Sequence, residues 1–120
     1  MSKYIDGYVL PLPKDKLDDY RELATKAAAI WMEHGALDYV EAVGDDMEAK
    51  DMTPFPKLAG AGPEEAVVFA YVVHASREAR DATNAKVMAD PRISSMCPSA
   101  MEGFDFRRMA FGGFQSIVTV

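Results

Sequence analysis

Cysteine is nearly absent from this chain. The single Cys97 has no internal disulfide partner, so a fold of 120 residues has to hold by packing alone, as a reducing compartment requires. Beside Pro98 in a Met-rich turn, Cys97 reads as a buried small hydrophobe and not a nucleophile. Histidine is scarce too: His34 and His74, the only two, stand far apart without a cysteine cluster, which gives no zinc pattern. No apolar segment approaches the ~18 to 20 residues that span a bilayer. The opening MSKYIDGYVL has neither a basic leader nor a cleavage site, which predicts a cytoplasmic protein. Basic residues are outnumbered, 13 against 19 acidic, for a net charge of −6 and a pI near 4.8. Nucleic acid is therefore not an expected partner, because its phosphates are held mainly by Lys and Arg.

Motifs for cofactors and metals are missing too. Gly60-Ala61-Gly62 precedes Pro63 and a strand instead of opening a helix, so the phosphate-binding fingerprint fails, and no GxSxG elbow occurs. The acidic run Gly44 to Glu48 places Met47 and Ala49 where a calcium loop needs oxygen ligands. No metal and no cofactor is expected.

What is present is an ordinary globular composition, 49% hydrophobic and 27% charged, at the usual size of one domain, 1–120. The most continuous apolar run is AVVFAYVV, Ala66 to Val73, whose β-branched and aromatic content predicts a central strand. Tyr4 to Leu12 alternates as a first strand, which Pro11 and Pro13 are expected to close, the chain leaving the sheet at about Pro11. From Lys14 to His34, apolar positions recur at helical spacing, with Asp15, Asp18 and Asp19 at the start and Gly35 as the stop. Ala36 to Gly44 reads as a charged edge strand. Asp45 to Glu65 is a long connection with room for one short helix, a candidate lid or partner arm. Ser76 is placed to cap a helix from Arg77 to Ala89, carrying an Arg77–Asp81 pair and ending at Asp90-Pro91. Arg92 to Asp105 has no clear period, and RRMAFGGFQSIVTV predicts the last strand, with a bulge or bend at Gly112-Gly113.

This order is the α+β, ferredoxin-like βαββαβ arrangement, a four-stranded antiparallel sheet with the first and third strands central and helices on one face. The other face is expected to meet water, yet Val67, Phe69, Tyr71 and Val73 occupy one parity of the third strand while Val68, Ala70 and Val72 occupy the other. Leaving four such side chains wet forgoes ~1.5 to 3 kcal/mol each, so a homodimer covering that face is expected.

The stretches YIDGYVLPLPKDKLDDY, WMEHGALDYVEAVGDD, VVFAYVVHASREARDATNAKVMADPR and RRMAFGGF span nearly the whole chain. In them the sequence resembles the small bacterial YbaA-like proteins, a domain family of unknown function in the dimeric α/β-barrel superfamily. The resemblance implies two ferredoxin-like subunits whose sheets face each other to close a barrel, and it implies no reaction and no catalytic residue. At Met101 to Met109 the chain reads MEGFDFRRM where the family is closer to MPFDGKRM.

Trp31 and His34 lie i, i+3 near the end of the first helix and are candidates to border a sheet–helix pocket, although a histidine before Gly35 also suits a helix terminus. Asn84, a poor mid-helix residue, needs a side-chain reason to sit there, and Met88 extends its face. With Tyr71, these residues form the candidate ligand site. His74 ends the central strand on the parity opposite Tyr71, so the two cannot both point inward. Arg107 and Arg108, adjacent on a strand, would point to opposite faces, leaving one solvated. The expected function is a homodimer binding a small, partly apolar molecule in the pocket, a candidate for cofactor-independent chemistry. The alternative is a non-catalytic interaction module using the 45–65 loop.

Overall fold

Alternation along Tyr4–Pro13 builds β1, which pairs antiparallel with β3 (Glu65–His74) from Tyr4 opposite His74 to Pro13 opposite Glu65. β2 (Asp38–Val43) flanks β3 and β4 (Ala110–Gln115) flanks β1, giving the antiparallel order β2-β3-β1-β4 of a ferredoxin-like sheet. The computed structural model describes residues 2–96 and 105–120, so Cys97 and the first half of the 101–109 stretch lie outside the described residues. The charged β2 is an edge strand, as its composition predicts. One chain makes an open sheet, and no barrel is closed within it.

The prolines do not end β1 where expected. The Lys14 amide donates to the Glu64 carbonyl (3.0 Å) and the Ser116 amide to the Lys3 carbonyl (2.9 Å), so even-numbered amides of this strand face β3 and odd-numbered ones face β4. β4 reaches back only to Ala110, opposite Val9. Pro11 and Pro13 thus lack donors on the side where no strand accepts them, and β1 stays in the sheet to Pro13.

A 3-10 turn at Lys14–Lys16 leads into α1 (Leu17–Glu33). That helix stops where Gly35 takes a φ of 125°, a conformation glycine adopts without a Cβ penalty. The long connection carries the short α2 (Phe55–Ala59). Ser76 Oγ accepts from the Ala79 amide (3.1 Å) and caps α3 (Arg77–Ala89). Asp90 ends α3 and caps α4 (Pro91–Ser94), its Oδ1 accepting from the Arg92 amide at 2.9 Å. In place of the expected Arg77–Asp81 pair, Asp81 pairs with its neighbour Arg80 at 2.9 Å, and Arg80 also reaches the buried Asp6 at 3.0 Å.

Two further expectations are corrected at the last strand. Gly112 and Gly113 sit in unbroken register opposite Gly7 and Asp6, without a bulge. Gly113 is needed for close approach instead: a Cβ there would lie 2.8 Å from Tyr4 Cε2. Arg107 and Arg108 belong to a 3-10 turn, Phe106–Arg108, before the strand. Arg107 is held by Asp105 (3.0 Å) and Arg108 by Glu65 (2.7 Å), so the strand-parity reading of the two does not apply.

α1 and α3 cover the face formed by the even-numbered positions of β1 and β3. Leu10, Leu12 and Val68 make the buried cluster there, with Leu17 and Tyr20 of α1 packed on it. The odd-numbered positions face away from the helices. On that side Phe69 is 45% and Phe114 61% exposed, with Tyr71 6.1 Å from Phe69 between ring centroids. Phe55 of α2 leans on the same face, 6.3 Å from Phe69. Among the described residues, no helix is long and apolar enough to cross a membrane.

Candidate functional site

Small side chains on facing elements leave space between sheet and helices. Ala24 and Ala27 on α1 look down on Ala70 of β3, and among the described residues no large side chain fills the gap. The result is a cavity of about 370 Å³, large enough for a small organic molecule. Its wall toward α3 and α4 is Trp31, Met88, Ile93 and Met96, and Phe106 and Met109 close the side toward β4.

The floor at the other end is polar and built from four side chains. Tyr8 of β1, Tyr39 and Glu41 of β2 and Tyr20 of α1 all line the cavity. Tyr39 and Glu41 share the helix-facing parity of β2, opposite Val72 and Ala70. Tyr20 donates to Glu41 Oε1 (2.5 Å) and Tyr39 to Glu41 Oε2 (2.7 Å), one phenol on each carboxylate oxygen. Burial, and next the hydrogen bond to Glu41, push the Tyr20 hydroxyl far above the phenol range; burial and the Glu41 charge do the same for Tyr39. Tyr8 is pushed up to about 12, chiefly by burial and then by the charge of Asp6. All three phenols are therefore protonated at neutral pH.

The residues singled out from sequence scatter over four places. Trp31 and Met88 line the cavity. Asn84, one turn before Met88, is not in its wall; its Oδ1 is buried without a hydrogen-bond partner among the described residues. His34 is turned to the α3–α4 junction, its Nε2 2.7 Å from Asp90 Oδ2, while Thr83 Oγ1 donates to the His34 carbonyl (3.2 Å). Arg92 adds bonds to Asp90 and Glu33, so His34 clips the end of α1 to α4. These bonds, Arg92 first and His34 next, hold the Asp90 carboxyl well below its usual range. Tyr71 lies on the opposite face of the sheet from Trp31 and cannot share its cavity. Glu41, Tyr20, Tyr39 and Tyr8 were missed by sequence reasoning, though each sat on an inward parity or helix face. Nothing local announces that they converge.

A second polar cluster lies behind Trp31. Asp6 of β1 and His74 of β3 are 1% and 0% exposed, and the Trp31 ring stands edge-on to His74 at 6.3 Å. Asp6 Oδ1 accepts from Arg80 (3.0 Å), whose guanidinium also stacks on Tyr4 at 4.8 Å. His74 Nε2 is 3.5 Å from Asp6 Oδ2, too long for a good hydrogen bond. A charged residue on the core parity of a central strand was the available signal for Asp6.

Burial pushes the His74 imidazole below its ordinary 6.5, outweighing the pull of Asp6. Above pH 6.5 the ring is neutral in folded and unfolded chains alike. Below it the unfolded chain takes the proton first, so this group costs stability as pH falls from 6.5 toward the lower folded value. Asp6 works in the other sense: burial raises its carboxyl above 3.8, so on acidification the folded chain takes that proton first. Urea midpoints of the wild type and His74→Gln, compared at about pH 7.5 and about pH 5.5, separate the two contributions. The wild type is expected to lose more than the variant over this interval. Equal losses would mean that His74 is not held neutral.

Comparison with known proteins agrees with this architecture. A family model described as a protein of unknown function (DUF1428) matches residues 3–106. The uncharacterized protein YbaA of Escherichia coli (strain K12) is 44% identical over 116 residues, 97% of each chain, and that of Shigella flexneri is equally similar. A crystal structure described as a dimeric ferredoxin-like protein, from an uncultured marine organism, matches with a TM-score of 0.59 at 11% identity, over 100% of this chain and 98% of that one. At that identity the likeness speaks for the fold alone.

Proposed function

The chain belongs to the DUF1428 family of proteins of unknown function, and from that premise we propose that it is a cytoplasmic homodimer that binds a small, partly apolar molecule in the sheet–helix cavity of each subunit. The observation that carries this reading is the cavity itself: about 370 Å³, apolar over most of its wall, with one concentrated polar end at Glu41. Pockets of that make-up orient a ligand by a few polar groups and hold it by apolar burial. Among the described residues its lining contains no Ser, Cys, Lys or His, so the reading rests on binding and proton positions and not on a nucleophile.

The dimer follows from the other face of the sheet. Phe69, Tyr71, Phe114, Val9 and Val73 form an apolar surface there that a second copy would cover, and a structural neighbour described as a dimeric ferredoxin-like protein supports pairing. Because Phe55 of α2 packs on this same surface, the 45–65 connection reads as part of the dimer face and not as an arm toward another protein.

Trp31 is the sole tryptophan, so its fluorescence reports on the cavity directly. A thermal-shift screen against a metabolite library, followed by titration of Trp31 fluorescence, is expected to yield ligands whose binding disappears in Ala27→Phe, which fills the space under α1. A hit that binds this variant unchanged would place the site elsewhere.

A further inference from the structure

Building on that cavity reading, we propose that the ligand is an organic cation, an amine or quaternary ammonium on an apolar chain, with its charged head at Glu41 and its chain along Trp31 and Met88. Glu41 is the one charged side chain in the cavity wall among the described residues, and no Lys, Arg or His forms an ion pair with it. Arg21 borders an adjoining, outer pocket that Glu41 also lines, and its ion pair is with the exposed Asp18 at 3.6 Å. The stretch 97–104, CPSAMEGF, has no basic residue to offer. Among the described residues this part-buried carboxylate has phenol hydrogen bonds and no ion-pair partner.

The two phenols stabilise this charge without neutralising it. Each donates its single proton to one Glu41 oxygen, and a carboxylate oxygen has capacity for a second donor. Tyr8 and Tyr39 line the same end of the cavity as Glu41 and add aromatic surface beside the carboxylate. A carboxylate or phosphate entering here meets a like charge, whereas an ammonium group meets a carboxylate and aromatic rings, which attract cations through their quadrupole. A neutral chain gains apolar burial but leaves Glu41 uncompensated. The remaining wall suits the tail of such a molecule: Met88, Met96 and Met109 are unbranched and adapt to irregular apolar shapes. A net charge of −6 further favours the approach of cations.

Three probes of matched chain length test the assignment through Trp31 fluorescence at neutral pH: octyltrimethylammonium, 1-octanol and octanoate. The cation is expected to bind on the order of tenfold tighter than octanol, with octanoate weakest. Glu41→Gln is expected to remove the cation's advantage and leave octanol binding in place. If octanol or octanoate matches the cation, or if Glu41→Gln leaves the cation's affinity unchanged, the cation assignment is overturned; saturable octanol binding in that case shows that the cavity reading survives it. If no probe shifts the Trp31 signal, both readings fall. The order of the three affinities on the unaltered protein decides the matter even where Glu41→Gln does not fold.

Discussion

Asp6→Ala is expected to lose about 3 to 5 kcal/mol of folding stability, because it removes one partner from a buried ion pair and strands the other. Asp6 is 1% exposed, and its Oδ1 accepts from Arg80 at 3.0 Å. Arg80 has no comparable replacement on the sheet, since Asp81 lies on the outer side of α3, mostly exposed, and Tyr4 offers a ring face and a 3.3 Å contact to its hydroxyl. The loss is a large fraction of the roughly 5 to 15 kcal/mol that holds a domain together. Removing both partners at once tests the mechanism: Asp6→Leu combined with Arg80→Met is expected to be more stable than Asp6→Ala alone, because no buried charge is left uncompensated. Urea unfolding of the three proteins measures this. A single variant that loses less than about 1 kcal/mol would show that Arg80 finds water on its own.

Phe69→Asp is expected to abolish the proposed dimer, raising its dissociation constant at least about a hundredfold, as truncation of a central aromatic anchor commonly does. Phe69 stands on β3 between Val9 and Ala42, opposite each in register, in the middle of the apolar face, with Phe55 and Tyr71 beside it. A carboxylate placed there meets no cation among its neighbours and must be desolvated on association. Sedimentation at micromolar concentration reads the result, and far-UV circular dichroism checks that the variant keeps its fold. A wild-type chain that sediments as a monomer would overturn the pairing, as would a Phe69→Asp chain that remains dimeric. Because the cavity opens on the other face, the monomer is expected to keep Trp31 in its cavity.

Most of the fold was legible because its determinants are local. The continuous β-branched and aromatic run Ala66 to Val73 needs only neighbouring positions to specify a strand, and Ser76 with the Asp90-Pro91 pair marks both ends of α3 within a few residues of where they act. The errors came where a residue's meaning depended on a distant partner. Pro11 looks like a strand breaker until β4 is seen to stop at Ala110, opposite Val9. Arg80 looks like one of several helix charges until Asp6 is seen beneath it. Gly113 suggests a bulge until the Tyr4 ring is placed against it.

The site divides in the same way. Trp31 and Met88 were named as pocket candidates from their helix positions, and both line the cavity, Met88 at its exposed rim. His34 and Tyr71 fit the same list by residue type, but one is tied to Asp90 and the other lies beneath the sheet. What the sequence determined by itself was the order of the main elements, the parity of the first three strands and, through a third strand apolar on both parities, two faces that both need cover. What only the tertiary structure decided was that Tyr8, Tyr20, Tyr39 and Glu41 meet at one end of a cavity. They come from three elements whose relative position is set by strand register and helix packing, interactions between residues far apart in the chain that no local spacing encodes.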